Sequence, residues 1–151
     1  MKTTSFVLLA SLAALPAFAD GDGGPRSVPM PQPYVQECGS CHAPFPPGLL
    51  PRESWQRLMG DLPRHFGTDA SLDAAAQRSL SAWLVGHAST RLRSAPPQDR
   101  LTQTDWFRRE HREVPAAAWT RASIKSAANC GACHAGAAVG AYDEHAVRIP
   151  R

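Results

Sequence analysis

The chain lacks any apolar run long enough to cross a bilayer. Spanning takes about 20 consecutive apolar residues, and the longest candidate, Phe6 to Leu15, falls well short of that. Strand-like alternation of apolar and polar residues is missing throughout, which excludes a sheet-built fold and leaves an all-α class. Charge of one sign is also scarce. Sixteen Lys and Arg face 13 Asp and Glu, for a formal +3 that drops by one if Lys2 is removed. So modest a charge on an exported chain excludes a nucleic-acid footprint. Finally, no cysteine is left over, because all four fall in two copies of one pentapeptide.

The copies are Cys38-Gly39-Ser40-Cys41-His42 and Cys130-Gly131-Ala132-Cys133-His134. Each Cys-x-x-Cys-His reads as a c-type haem attachment site. On a helical turn, positions i and i+3 lie on one face. Two thiols so placed reach the vinyl groups at the porphyrin edge. The histidine that follows turns beneath the ring to ligate iron. A disulfide redox motif gives no reason for a histidine after each pair. A zinc site uses other spacings and leaves the histidines unexplained. Structural disulfides in an exported protein form a third alternative. Two covalently attached haem c groups account for all six residues.

Residues 1–19 have the layout of a secretory signal peptide. Lys2 gives the positive start, Phe6 to Leu15 the apolar stretch, and Ala17-Phe18-Ala19 the small-x-small cleavage pattern. The expected location is the periplasm, where thioether attachment takes place in bacteria. What remains suits one domain or two very small ones. Fourteen prolines and 11 glycines make it loop-rich. Chains this small often need a staple, and two bound haems supply apolar bodies to wrap.

Residues 20–33 are Gly- and Pro-rich and form a lead-in. A first helix is expected over about 32–42, carrying the first motif, and Pro46-Pro47-Gly48 breaks it. A second starts near Pro51, with Trp55, Leu58, Met59 and Leu62 as its buried stripe, and Pro63 and Gly67 end it. Ser71 is the expected cap of a third helix, running from Leu72 to about His87. Its apolar face is Leu72, Ala76, Leu80, Trp83 and Leu84. Residues 88–103 read as a linker. Thr104 caps a short helix from Asp105 to about His111, and Ser123 is expected to cap a last helix over 124–134. The division is 20–88 as a first haem domain and 89–151 as linker plus second haem segment.

Each proximal ligand follows from its motif: His42 and His134. The sixth position of each iron must be argued among His65, His87, His111, His145, Met30 and Met59. His65 lies in the loop after the second helix and can fold back over the first haem. It is favoured over His87, which shares the apolar stripe of the third helix and sits at a helix C-terminus, where histidine is favourable in its own right. Met59 lies in a packing stripe, and Met30 lies in the lead-in. For the second haem, His111 in a structured stretch is favoured over His145 in the tail.

With these residues in view, the chain resembles the dihaem cytochrome c family of proteobacterial periplasms. The likeness rests on Glu37 to His42, Trp55-x-x-Leu58-Met59, His65-Phe66-Gly67, Trp106-Phe107-x-x-Glu110-His111 and Ala128 to His134. It covers nearly the whole mature chain. The resemblance implies a class I cytochrome c-like N-terminal unit followed by an extended, loop-rich C-terminal haem segment. It implies bis-histidine ligation, His42 with His65 and His134 with His111. It also implies redox partners: a monohaem oxygen-binding cytochrome c and a membrane cytochrome b.

Two histidines on each iron leave no position for substrate, and they lack the methionine that raises potential. The expectation is an electron carrier with low-potential haems and no enzymatic role. The rival is a small dihaem redox enzyme, of peroxidase or nitrogen-oxide reductase type, with one openable haem. Arg91, Arg93, Arg100, Arg108, Arg109 and Arg112 form a basic mid-chain cluster. A solvated face or haem-propionate counter-ions are favoured for it over a docking patch for an acidic partner.

Overall fold

The structure, a computed structural model, describes residues 28–151. The signal peptide expected over residues 1–19 lies outside the described residues. Four α-helices occur among those described: α1 Gln32–Cys38, α2 Arg52–Gly60, α3 Ala74–Gly86 and α4 Asp105–Glu110. Short 3-10 turns supply the rest, and no strand forms among the described residues. The all-α class holds.

Helix α1 is shorter than the motif suggested. It stops at Cys38, and Gly39 to Cys41 continue as a turn. Glycine and serine are poor helix residues, and the Ser40 hydroxyl donates to the Glu37 carbonyl, a local bond that competes with the helix ladder. Helix α2 follows its apolar stripe. Trp55, Met59 and Leu62 are buried, and the indole N–H of Trp55 donates to Pro47 O at 2.8 Å. Met59 therefore packs in the core, as its stripe position implied.

Helix α3 is capped by Asp73, not Ser71. The Asp73 carboxylate accepts from the N–H groups of Ala75 (2.9 Å) and Ala76 (3.0 Å). Ser71 is engaged instead with Asp69. Aspartate caps as well as serine, and a start at Ala74 still brings Leu80 and Leu84 against α2. Each such leucine contributes about 2 kcal/mol of burial.

The helix expected over 124–134 is absent, and the second motif lies on a 3-10 turn, Cys130–Ala132. Lys125 has φ 69°, a left-handed value that ends helical geometry at once. The Asn129 side chain takes the Ile124 carbonyl. Ser123 donates to the Arg151 carbonyl and caps nothing. A run this short is marginal as a helix without packing support.

Tyr34, Leu49, Leu50, Trp55, Met59, Leu62, Leu80 and Leu84 form one buried cluster, and Leu101 and Phe107 join it. The stretch read as a linker is thus anchored at Leu101. It is pinned further by Asp99, whose carboxylate takes both Nε (2.9 Å) and Nη2 (2.7 Å) of Arg57 in α2.

Candidate haem-binding sites

The four cysteines form no disulfide with one another. Burial pushes Cys38 up to about 11, with Glu37 adding to the effect, and burial also raises Cys130 and Cys133. No three His, Cys, Asp or Glu side chains converge as a metal cluster among the described residues.

What does converge is two pairs of imidazoles. His65 is the C-cap of a 3-10 turn, Leu62–Arg64. Pro63 favours that turn, because its fixed φ suits a first turn. The chain then reverses: Phe66 has φ 50° and Gly67 φ 92°, and Thr68 N–H donates to His65 O at 3.0 Å. Only glycine takes the value at 67 without strain. This reversal sets the His65 ring 6.3 Å from the His42 ring, centroid to centroid, at an interplanar angle of 22°.

The second pair is built by α4. Thr104 caps that helix by accepting from Phe107 N–H at 3.0 Å. His111 closes it as C-cap, and its Nδ1–H donates to Phe107 O at 2.9 Å. The His111 ring stacks on Phe107 at 4.0 Å. His134 is placed by its motif turn, in which its N–H donates to Cys130 O at 2.8 Å. The centroids of His111 and His134 are 6.2 Å apart, with the ring planes at 72°.

Those spacings have a chemical meaning. An imidazole nitrogen sits about 2.0 Å from a bound metal, with its ring centre about 1.1 Å beyond, so two opposed ligands on one metal have centroids about 6.2 Å apart. Both pairs match this, and each adjoins a pair of thiols. Grooves open beside them. One of about 670 Å³ is lined by Arg57, Leu58, Asp61, His65 and Phe66. One of about 240 Å³ is lined by Phe107, Arg108, His111 and Trp119. Burial lowers the pKa of His65 and of His134, and each partner imidazole lowers it further. Neutral imidazole is the ligating form. The residues present fit a haem c at each motif.

The other candidates fall away. His87 is exposed, and its Nδ1–H is taken by Trp83 O at 2.8 Å. His145 is exposed beside Glu144. Met30 lies against the tail, where a Cβ at Gly140 would meet its terminal methyl at 3.1 Å. Of the basic cluster, Arg109 and Arg112 pair with Glu110 and Glu113. Arg108 bonds to Gln103. Of the residues beside the sites, the sequence marks Phe107 only within the Trp106-Phe107-x-x-Glu110-His111 stretch and does not mark Asp99. Phe107 lies four positions before His111 on a helix, a spacing that signals contact. Asp99 had no such signal, since its partner Arg57 is 42 positions away.

A strandless helical fold with two Cys-x-x-Cys-His turns, each facing a second histidine, defines a c-type cytochrome with two haems. The sequence profile of the dihaem cytochrome c family (DHC) matches residues 34–142. The chain belongs to the dihaem cytochrome c family, and its cofactors are two haem c groups. A crystal structure of a diheme cytochrome type c from Shewanella baltica OS155 is similar at 34% identity and TM-score 0.70, over 80% of this chain and 95% of that one. Two structures of diheme cytochrome c from Rhodobacter sphaeroides are similar at 37% identity, over 78% of this chain and 100% of theirs, with TM-scores of 0.65 and 0.68. No curated protein matches the sequence.

Proposed function

We propose that the protein is an exported electron carrier whose two haems are each closed by two histidines, His42 with His65 and His134 with His111. The observation that carries this reading is the pair of ring spacings, 6.3 and 6.2 Å. When bound, each haem supplies reversible one-electron chemistry, and the protein sets its potential by ligation and burial. The chain's own residues would orient the imidazoles that hold each haem. His42 donates through Nδ1 to Ala43 O at 2.8 Å, and His111 donates to Phe107 O. Such outer bonds fix the tautomer and raise ligand basicity. Two histidines at each site would hold the iron from both sides and leave no position for substrate, which favours a carrier over an enzyme. Export is supported by the leader-like N-terminus and by the need to attach haem outside the cytoplasm. No helix among the described residues is long and apolar enough to cross a membrane.

The decisive comparison is carbon monoxide binding to the reduced protein. The parent should show no spectral shift. His65→Ala and His111→Ala should each open one haem to carbon monoxide, while His87→Ala behaves as the parent. Opening by His87→Ala, or a carbon monoxide adduct of the parent, would refute the ligand assignment and revive the enzyme reading. The partners implied by resemblance, a monohaem oxygen-binding cytochrome c and a membrane cytochrome b, remain part of this proposal. Stopped-flow mixing with each checks them.

A further inference from the structure

The four paired imidazoles are not held alike. His42 and His111 each give their Nδ1–H to a backbone carbonyl. The Nδ1 atoms of His65 and His134 are buried with no hydrogen-bond partner among the described residues. His134 is still fixed by its place next to Cys133, inside the attachment turn. His65 has neither an outer bond nor a covalent neighbour, so packing alone must orient it.

Its nearest ring neighbour is Phe66, which stands edge-on to His65 at 4.9 Å. Phe66 is not held by the core. It is 46% exposed, and its φ of 50° is an outlier for a bulky side chain. Such a conformation persists only where the surroundings over-determine it. Arg100 supplies the constraint, with its guanidinium carbon 4.5 Å above the Phe66 ring. The guanidinium is itself steadied by donation from Nε to Gln98 Oε1 at 3.0 Å. Gln98 and Asp99 both have left-handed φ values, 55° and 56°, which turn the chain toward the loop. The Asp99–Arg57 clamp ties that turn to α2.

We propose that Arg100 is a positioning residue for His65: the segment 98–100 clasps the loop that presents the distal ligand of the first haem. This rests on the reading of His65 as that ligand. Arg100 touches neither the iron nor its ligand directly and acts through Phe66. The second haem serves as an internal control.

The experiment uses the haem-loaded full chain. Oxidised parent, Arg100→Ala and Arg100→Lys are compared by electron paramagnetic resonance and by the rate of cyanide uptake at each haem. Arg100→Ala should shift or broaden the low-spin signal of the first haem and speed cyanide uptake there about threefold, the factor an exposed cation–π contact supplies. Arg100→Lys keeps a cation over the ring and should fall between. The second haem should be unchanged. An Arg100→Ala protein identical to the parent in signal and uptake overturns the proposal. So does a perturbation confined to the second haem. His65→Ala, run alongside, separates the two ideas. If it opens the first haem while Arg100→Ala is silent, only the clasp fails. If it opens neither haem, the ligand reading beneath it fails.

Discussion

Replacing Thr104 with valine tests whether local capping sets the position of His111, the proposed ligand of the second haem. The Thr104 hydroxyl is buried, at 5% exposure. It donates to Leu101 O at 2.9 Å and accepts from Phe107 N–H at 3.0 Å. Valine keeps the shape and loses both bonds. Loss of an N-cap costs about 1 kcal/mol. The Leu101 carbonyl keeps the Thr104 backbone N–H at 3.1 Å, so it is not left unmet and adds little. Helix α4 has only six residues, too few to persist without its cap and packing. Its last turn carries Phe107, on which His111 stacks. The damage should therefore focus on the second haem. Urea titration of the oxidised protein, followed by the low-spin resonance of each haem, reads both quantities. Thr104→Val should lose stability by about 1 kcal/mol, and the signal of the second haem should fade at lower urea than that of the first. Thr104→Ser, which keeps the hydroxyl, should stay close to the parent. A Thr104→Val protein as stable as the parent, with both signals fading together, would refute the reasoning.

Three further outcomes follow from the geometry. The paired histidine rings, the proposed iron ligands, lie at 22° at one site and 72° at the other. Near-parallel imidazoles split the iron π orbitals, whereas near-perpendicular ones leave them nearly degenerate. Frozen oxidised protein should thus show one rhombic and one highly anisotropic low-spin resonance in equal amounts, and a single type would contradict the ring angles. Donation from Arg57 holds the Asp99 carboxyl below its usual value, outweighing its burial. A depressed carboxylate pKa stabilises the fold above the unfolded value of about 3.9 and loses that contribution as pH falls through the folded value. Asp99→Asn should accordingly be less stable at pH 7 and show a shallower fall in urea midpoint between neutral pH and pH 3; an unchanged slope counts against the clamp. Tyr34 is buried, and its hydroxyl donates to Phe45 O at 2.7 Å one turn before Cys38. Tyr34→Phe should cost about 1 kcal/mol in chemical denaturation, and Tyr34→Ala about 3–5 kcal/mol; equal effects would show that ring packing is not what matters there.

Much of the site was legible in the chain because its chemistry is local. A Cys-x-x-Cys-His run carries its own spacing, so it names haem number and attachment whatever surrounds it. The stripe Trp55, Leu58, Met59 and Leu62 and the cap at Thr104 are likewise short-range signals, and both appear in the fold. The last helix was misread because propensity over 124–134 ignores a left-handed Lys125 and a side chain, Asn129, that takes a helix carbonyl. The cap at Ser71 was misread because two good capping residues lie two positions apart, and packing against α2 chose between them.

Sequence by itself determined the all-α class, two Cys-x-x-Cys-His motifs and the two haem c groups they imply. Those are properties of residues within five positions of one another. Which histidine faces each motif was a matter of distance through space. Only the tertiary structure brought His65 over His42 and His111 over His134, at 6.3 and 6.2 Å, while leaving His87 exposed on its helix end. It did so through pieces far apart in the chain. Pro63 and Gly67 shape the reversal that carries His65, and Asp99 reaches back 42 positions to Arg57. Phe107 enters the common core, and so fixes where α4 ends. A chain of this size encodes such juxtapositions in packing, which has no period and no motif.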